Sequence, residues 1–125
     1  MAPGDVQSGL RIHRFTLESG SSAGEYHYDL VLTQLKRNDR LVTGVVNWKI
    51  AGLMLGEPGE LALAGVTNPA VKQLKFRFRY FQELAGTITL PYGFEPERVI
   101  LDVMPEGKGK PPSVKQTFDW YVSGS

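Results

Sequence analysis

The residues from Leu74 to Tyr80 alternate between apolar and basic side chains, and this pattern constrains the fold more than any other feature of the chain. Successive side chains of a β-strand point to opposite faces, whereas an α-helix would scatter the aromatic rings around its circumference. The pattern therefore predicts a strand with its apolar side chains inward and its cations outward. The inward set is Leu74, Phe76, Phe78 and Tyr80, and the outward set is Lys75, Arg77 and Arg79.

The same two-residue period recurs at short spacing, and no segment shows the 3.6-residue period of an amphipathic helix. The connections are short enough to join antiparallel strands, and one sheet alone would leave an apolar face in water. The 125 residues therefore predict one all-β domain, an antiparallel β-sandwich of seven or eight strands, immunoglobulin-like in general architecture. A partly open β-barrel is the alternative. Residues 9–122 are the predicted sandwich, residues 1–8 a linker and residues 123–125 a tail.

Two local patterns make sharper predictions about the strands. Between Ile12 and Phe15 the apolar side chains change parity, which indicates a β-bulge because one extra residue moves them to the opposite face. Residues 26–32 and 42–50 alternate strongly on either side of a polar turn at residues 36–39. These two segments are predicted to pair as a hairpin.

Charge and composition exclude several classes of function. The chain has 14 basic and 13 acidic residues, so its net charge of +1 predicts no electrostatic binding of nucleic acid or anionic lipid. It has no cysteine, which excludes disulfides, thiolate catalysis and cysteine-rich metal sites. It also has no apolar run as long as the roughly 20 residues of a membrane-spanning helix.

The residues that carry catalysis in other proteins are dispersed here, and we predict no catalytic, cofactor or metal site. His13 and His27 lack a second ligand at a suitable spacing and are expected at solvent-facing positions. Paired carboxylates could hydrolyse a glycoside if Asp29, Asp102 and Asp119 met in a groove. Outward aspartates on a sheet are more often solvated or ion-paired, so the chain is predicted not to be an enzyme, with a small hydrolase as a minor alternative.

Six residues are candidates for binding a partner. The cations Lys75, Arg77 and Arg79 either pair with acids on the neighbouring strand or form a basic face for a partner. Phe81 lies off the inward parity, and Tyr92 and Phe94 lie in a predicted turn, so these three aromatic side chains are expected at the surface. An unpaired edge strand that accepts a partner strand is a further possibility.

Five segments of the chain match those of a known family: Gly9–Ile12, Tyr28–Gln34, Phe76–Gly86, Leu90–Val99 and Phe118–Trp120. Through them the chain resembles the C-terminal domain of an uncharacterised proteobacterial family of single-pass inner-membrane proteins. The resemblance extends from about Ala2 to Trp120 and lies in structural motifs, with no catalytic residue to transfer.

This resemblance implies a periplasmic domain that follows a short cytoplasmic start, one membrane helix and a coiled coil. Residues 1–8 would then be the linker from that coiled coil, with Met1 an internal residue or a cloned start. The coiled coil would make the protein a homodimer, and the membrane would be contacted only through a segment absent from this chain. Genes of this family often lie beside a bactofilin gene and near cell-wall peptidase genes, which implies a role in organising the cell envelope. We therefore expect a non-catalytic domain that binds a protein partner, with no cofactor and no nucleic acid; the alternative is a module that binds the peptidoglycan glycan.

Overall fold

The computed structural model describes residues 9–34 and 40–123 of the chain. These residues form eight β-strands and one short 3₁₀-helix at Leu63–Gly65. The strands are β1 (Leu10–Ser19), β2 (Glu25–Gln34), β3 (Val42–Met54), β4 (Glu57–Ala62), β5 (Leu74–Phe78), β6 (Phe81–Thr89), β7 (Phe94–Glu106) and β8 (Val114–Asp119).

The strands form two antiparallel sheets. Sheet A has three strands in the order β1-β2-β6. Sheet B has five, with β3 at its centre, β7 and then β8 on one side, and β4 and β5 one after the other along the opposite side. Within the described residues no strand of sheet A pairs with a strand of sheet B, so the sheets do not close into a barrel. The predicted β-sandwich of seven or eight strands is confirmed.

One apolar core lies between the two sheets. Leu30 and Leu32 from sheet A and Val46 and Val103 from sheet B are at most 1% exposed. The ring of Trp48 on β3 joins the sheets, because its centroid lies 6.1 Å from that of Phe15 on β1 and 5.3 Å from that of Tyr28 on β2. Burial of each large aliphatic side chain contributes about 1.5–3 kcal/mol, so this shared core is what holds the sandwich together.

The predicted bulge in the first strand is confirmed. The pairing of β1 with β2 shifts between Ile12 and Arg14, which leaves His13 as the extra residue. Before the bulge Leu10 faces the core, and after it Leu17 does so at the opposite parity. The bulge therefore lets both halves of the strand bury their apolar side chains.

The predicted hairpin of β2 with β3 is wrong. β2 lies between β1 and β6 in sheet A, whereas β3 is the central strand of sheet B. Both strands bury one apolar face against the same core, and an alternating pattern specifies that burial but not the neighbour in the sheet. The predicted turn at residues 36–39 lies outside the described residues, as do the predicted linker 1–8 and residues 124–125 of the predicted tail.

Candidate functional site

The cations of β5 lie on the exposed outer face of sheet B, at its edge. Lys75 pairs in register with Val45, and Arg77 pairs with Thr43. Within residues 9–34 and 40–123, neither cation has a carboxylate within 4.0 Å. The neighbouring strand therefore offers Lys75 and Arg77 no acidic partner directly opposite, and their positive charge faces solvent.

The inner face of β5 is aromatic, as predicted up to Phe78. The rings of Phe76 and Phe78 are buried, with their centroids 5.8 Å apart. The backbone N–H of Arg77 donates to Oε1 of Gln82 at 2.7 Å. Pairing with β3 and the buried rings hold β5 in sheet B although it has only five residues, and the hydrogen bond to Gln82 joins it to β6.

Tyr80 was expected to point inward, and this prediction is wrong. Its side chain is 58% exposed, because the ladder of β5 with β3 ends at Phe78 and the chain then crosses to sheet A. Phe81 follows as the first residue of β6 and is 66% exposed, as expected. The two rings are thus neighbouring exposed aromatic side chains at the crossing.

Gln34 fixes the backbone of this crossing. Its side-chain Nε2 donates to the carbonyl oxygens of Arg40 at 2.9 Å and Arg79 at 3.0 Å. Its backbone N–H donates to the carbonyl oxygen of Tyr80 at 3.2 Å. These three bonds tie the end of β2, the start of β3 and the β5–β6 turn together, so the side chains of the turn are presented from a fixed backbone.

We group these residues as the β5–β6 surface, because they follow one another where the chain crosses from sheet B to sheet A. A depression beside it is lined by Lys75, Arg77, Gln82 and Glu106, among other residues. Glu106 shares a row of the sheet with Arg77, separated from it by Thr43. The surface therefore offers cations, one nearby carboxylate and two exposed rings. Its members are Lys75, Arg77, Arg79, Tyr80 and Phe81.

The remaining two aromatic candidates have opposite environments. Tyr92 is 99% exposed in the turn before β7, as expected. Phe94 was expected at the surface, and this is wrong because it is 8% exposed and belongs to the core. Gly93 between them has a φ of 90°, and this left-handed conformation turns the chain so that Phe94 begins β7 facing inward. Tyr92 lies beyond the opposite end of β6 from Phe81, so the six sequence candidates do not form one site.

Leu55 is a second exposed apolar side chain at this end of the molecule, near Tyr92. Leu55 in the β3–β4 turn is 76% exposed and has a φ of 50°. Its backbone N–H donates to the carbonyl oxygen of Gly93 at 2.8 Å, which joins the two turns. Sequence alternation missed Leu55 because it lies in a turn rich in Gly and Pro.

The histidines lie on the surface of sheet A. His13 is exposed at the bulge, and His27 is exposed with Nδ1 2.9 Å from Oγ1 of Thr87. In the part of the chain that the structure describes, no three His, Asp or Glu side chains group closely enough to hold a metal ion.

The three candidate aspartates are separated by the fold. Asp29 lies on the outer face of sheet A, whereas Asp102 and Asp119 lie on sheet B and pair in register with Lys115 and Arg98. One carboxylate oxygen of Asp29 lies 3.3 Å from Nη2 of Arg14. The aspartates therefore do not form the groove that a glycoside hydrolase requires.

Glu83 on β6 is an acidic partner of Asp29 that sequence reasoning did not single out. A hydrogen bond between the two carboxyl groups, followed by the charge of Asp29 and by desolvation, raises the pKa of Glu83 above its ordinary value of 4.5. Arg14 acts in the opposite direction. The alternation of β6 indicates that Glu83 points outward. It does not place Glu83 near Asp29, because that contact depends on the pairing of β2 with β6.

Comparison with known proteins gives a family without a known activity. A family model described as a family of unknown function, DUF6776, matches residues 1–101, a span that ends within β7. The search of curated proteins finds no match to the chain. Among the described residues, no helix has the length and apolar character needed to cross a membrane.

Proposed function

Because this chain belongs to the DUF6776 family, whose function is unknown, we propose its function from its surfaces: a non-catalytic domain that binds a protein partner in the cell envelope. The observation that carries the proposal is the β5–β6 surface, where the exposed cations of β5 are followed along the chain by the exposed rings of Tyr80 and Phe81. Aromatic residues and arginine are enriched at protein interfaces, where they combine apolar contact area with directed hydrogen bonds. The partner is a protein with an acidic patch.

The proposed mechanism is electrostatic docking followed by burial of the rings. Lys75 and Arg77 attract the acidic patch, since charged groups mainly increase the rate and specificity of association. Tyr80 and Phe81 are then covered by the partner, and they are the residues expected to contribute most to the binding energy. Because Gln34 already fixes the backbone of this turn, little conformational entropy is lost on binding.

The proposed location is the periplasm, with the full-length protein tethered to the inner membrane and acting in cell-envelope or bactofilin-linked organisation. The support is the resemblance of the sequence to membrane-anchored coiled-coil proteins. In that arrangement a coiled coil pairs two domains, and the two linked binding sites increase the avidity for a multivalent partner. Fusion of alkaline phosphatase to the end of the full-length protein tests the location, because the enzyme is active only in the periplasm.

Protein binding is favoured over glycan binding by the positions of the exposed rings. Sugar recognition would need aromatic rings along one groove, whereas Phe81 begins the nine-residue strand β6 and Tyr92 lies three residues beyond the end of that strand. Such a strand is about 30 Å long. Retention of the chain on purified peptidoglycan that is lost in Tyr92→Ala would argue for the glycan function instead.

Photo-crosslinking in cells tests the proposal directly. A photo-reactive amino acid placed at Tyr80 of the full-length protein should capture one envelope protein. The double variant Lys75→Glu/Arg77→Glu should lower its recovery about tenfold or more, because the acidic patch would then meet like charge. Lys49→Glu/Lys115→Glu is the matched control, since it makes the same change of charge on the same face of sheet B, away from β5. Equal recovery from wild type and the β5 variant would contradict the proposal.

A further inference from the structure

The edge of β6 differs from the other edges of the two sheets. β1 contains the bulge, and its end is covered where the backbone N–H of Ser123 donates to the carbonyl oxygen of Leu17 at 2.8 Å. β4, β5 and β8 have only five or six residues each and carry proline or lysine. Proteins use such features to prevent edge pairing. β6 has nine residues, no proline, no lysine or arginine and no register shift.

The backbone groups that β6 presents outward follow from the hydrogen bonds at its two ends. Gln34 donates its N–H to the carbonyl oxygen of Tyr80 at 3.2 Å, and Leu90 donates its N–H to that of Gly24 at 2.8 Å. Along an antiparallel strand, the backbone N–H and C=O groups of successive residues point to alternate sides. Those of the even-numbered residues of β6 therefore bond to β2, and those of the odd-numbered residues point away from β2. Thr89 agrees with this, since its N–H donates at 2.8 Å to the carbonyl oxygen of Val66, outside sheet A.

Thr89 is thereby occupied, and the free part of the edge runs from Phe81 to Thr87. Four residues in it direct their N–H and C=O groups outward, and no described residue bonds to those groups. Their side chains are exposed on the outer face of sheet A and carry one charge, that of Glu83. The four residues are Phe81, Glu83, Ala85 and Thr87.

We propose that β6 pairs antiparallel with β6 of a second copy of this chain, about a two-fold axis at Leu84. In this register Phe81 faces Thr87 of the other copy, and Glu83 faces Ala85. Each facing pair exchanges two backbone hydrogen bonds, and the two three-stranded sheets become one sheet of six strands.

A second copy fits this edge because the open groups are symmetric about Leu84. The register centred there uses all four outward residues and leaves the bond between Thr89 and Val66 intact, whereas a register centred on Ala85 requires Thr89. No two like charges lie directly opposite, since Glu83 faces alanine. The exposed ring of Phe81 gains a neighbour in the other copy. The inference goes beyond the proposed function, because it concerns a different partner and a strand edge that shares only Phe81 with the β5–β6 surface.

Sedimentation equilibrium of the 125-residue chain over a range of concentrations tests the pairing. Wild type should dimerise, and Ala85→Pro should remain monomeric, because the proline ring replaces an outward N–H and leaves the bonds to β2 in place. Thr117→Pro on β8 is the matched control. Trp120 donates its N–H to the carbonyl oxygen of Glu97 at 2.9 Å, so the odd-numbered Thr117 also points its N–H away from its sheet. This control should dimerise like wild type, and circular dichroism checks that each variant is folded.

Disulfide crosslinking tests the register independently of any proline variant. The chain has no cysteine of its own. Facing residues in a hydrogen-bonded antiparallel pair lie about 5.5 Å apart between Cα atoms, within the range of a disulfide. A mixture of chains carrying Glu83→Cys and Ala85→Cys should give a crosslinked dimer, and neither chain alone should do so to the same extent.

Two results would overturn the inference. A wild-type chain that stays monomeric at every concentration excludes the second copy as the partner, even if the edge then binds an extended segment of another protein. Crosslinking of Ala85→Cys with itself in preference to the mixture excludes the proposed register. Neither result bears on the proposed function, because that proposal is tested separately by the loss of crosslinking in Lys75→Glu/Arg77→Glu.

Discussion

Arg77 donates its backbone N–H to Oε1 of Gln82 at 2.7 Å and thereby joins β5, an edge strand of sheet B, to the start of β6 in sheet A. The two strands do not pair along their length, because the chain changes sheets between them. Gln82 therefore supplies with its side chain the acceptor that a neighbouring strand would supply in a hairpin. The bond links the basic strand of the β5–β6 surface to the strand proposed to pair with a second copy.

Removal of the Gln82 acceptor should lower the stability of the protein, because β5 then loses its hydrogen bond to β6. We expect Gln82→Ala to lower the free energy of unfolding by about 1 kcal/mol, the usual net value of one hydrogen bond. Gln116→Ala on β8 is the control, because the Gln116 side chain is exposed and makes no described hydrogen bond. Urea unfolding at neutral pH measures both variants. Equal midpoints for the two would show that Gln82 does not hold β5.

Gly44 occupies a position in β3 with no space for a side chain. A Cβ atom there would meet the carbonyl oxygen of Met104, and it would lie 2.6 Å from Cζ of Phe76 and 2.7 Å from Cα of Pro105. The obstruction is largely backbone and cannot rotate away. We expect Gly44→Ala to cost about 1–3 kcal/mol of unfolding free energy, as overpacking of a core does. Thermal or urea unfolding measures this cost.

Gly65→Ala is the control for that measurement. A Cβ atom at Gly65 would meet no heavy atom within 4 Å. Its effect should stay within about 0.5 kcal/mol of wild type, which is typical of surface substitutions. If Gly44→Ala were as stable as Gly65→Ala, β3 and β7 would be able to move apart enough to fit a Cβ atom, and the close packing at Gly44 would not limit stability.

The strands of this fold were predictable, but their neighbours were not. Alternation located β5 and its buried rings, because burial of one face imposes a two-residue period whatever the partner strand is. The same pattern continues to Tyr80, although pairing ends at Phe78, so the sequence alone placed Tyr80 inward. The end of a strand depends on where the partner strand stops, and β3 begins at Val42, opposite Phe78. The prediction that β2 pairs with β3 was wrong for a related reason. Both strands bury residues in the same core, and that burial does not specify which strand lies beside each of them.

The candidate surface was predictable for its charges and less so for its rings. Lys75 and Arg77 are exposed because their neighbours in sequence are buried, which periodicity specifies directly. Phe94 is buried because the conformation of Gly93 turns the chain, and a turn residue does not reveal which of its neighbours enters the next strand. Glu83 was overlooked because its contact with Asp29 depends on the long-range pairing of β2 with β6.

Glu25 closes the turn between β1 and β2 and should make stability fall at acid pH. Its Oε1 accepts the backbone N–H groups of Ser21 at 2.9 Å and Ser22 at 3.0 Å. These bonds, with that from the Ser21 hydroxyl, lower the pKa of Glu25 below its ordinary value of 4.5. A lowered pKa means that the folded protein favours the charged form, so the contribution is complete above pH 4.5 and is lost as the pH falls through the folded-state value.

The measurement compares wild type with Glu25→Gln in urea at a series of pH values. Wild type should be more stable near neutral pH, and the difference should shrink below pH 4.5 as Glu25 takes up a proton. Glu57→Gln in the exposed part of β4 controls for the change in net charge. A difference that does not vary with pH would contradict this role of the carboxylate.

Glu83 should have the opposite dependence on pH. Its pKa is raised, first by the hydrogen bond with Asp29 and then by the charge of Asp29, so the folded state binds a proton more tightly than the unfolded state. The stabilising contribution is therefore complete below pH 4.5 and is lost as the pH rises through the folded-state pKa. Glu83→Gln keeps a neutral side chain whose amide can donate to Asp29 at every pH. We expect this variant to be more stable than wild type at neutral pH and equal to it in acid. Urea unfolding across the same pH series measures this effect, with Glu95→Gln as the control. If Glu83→Gln were less stable than wild type at neutral pH, Arg14 would be holding the carboxylates of Asp29 and Glu83 without a shared proton.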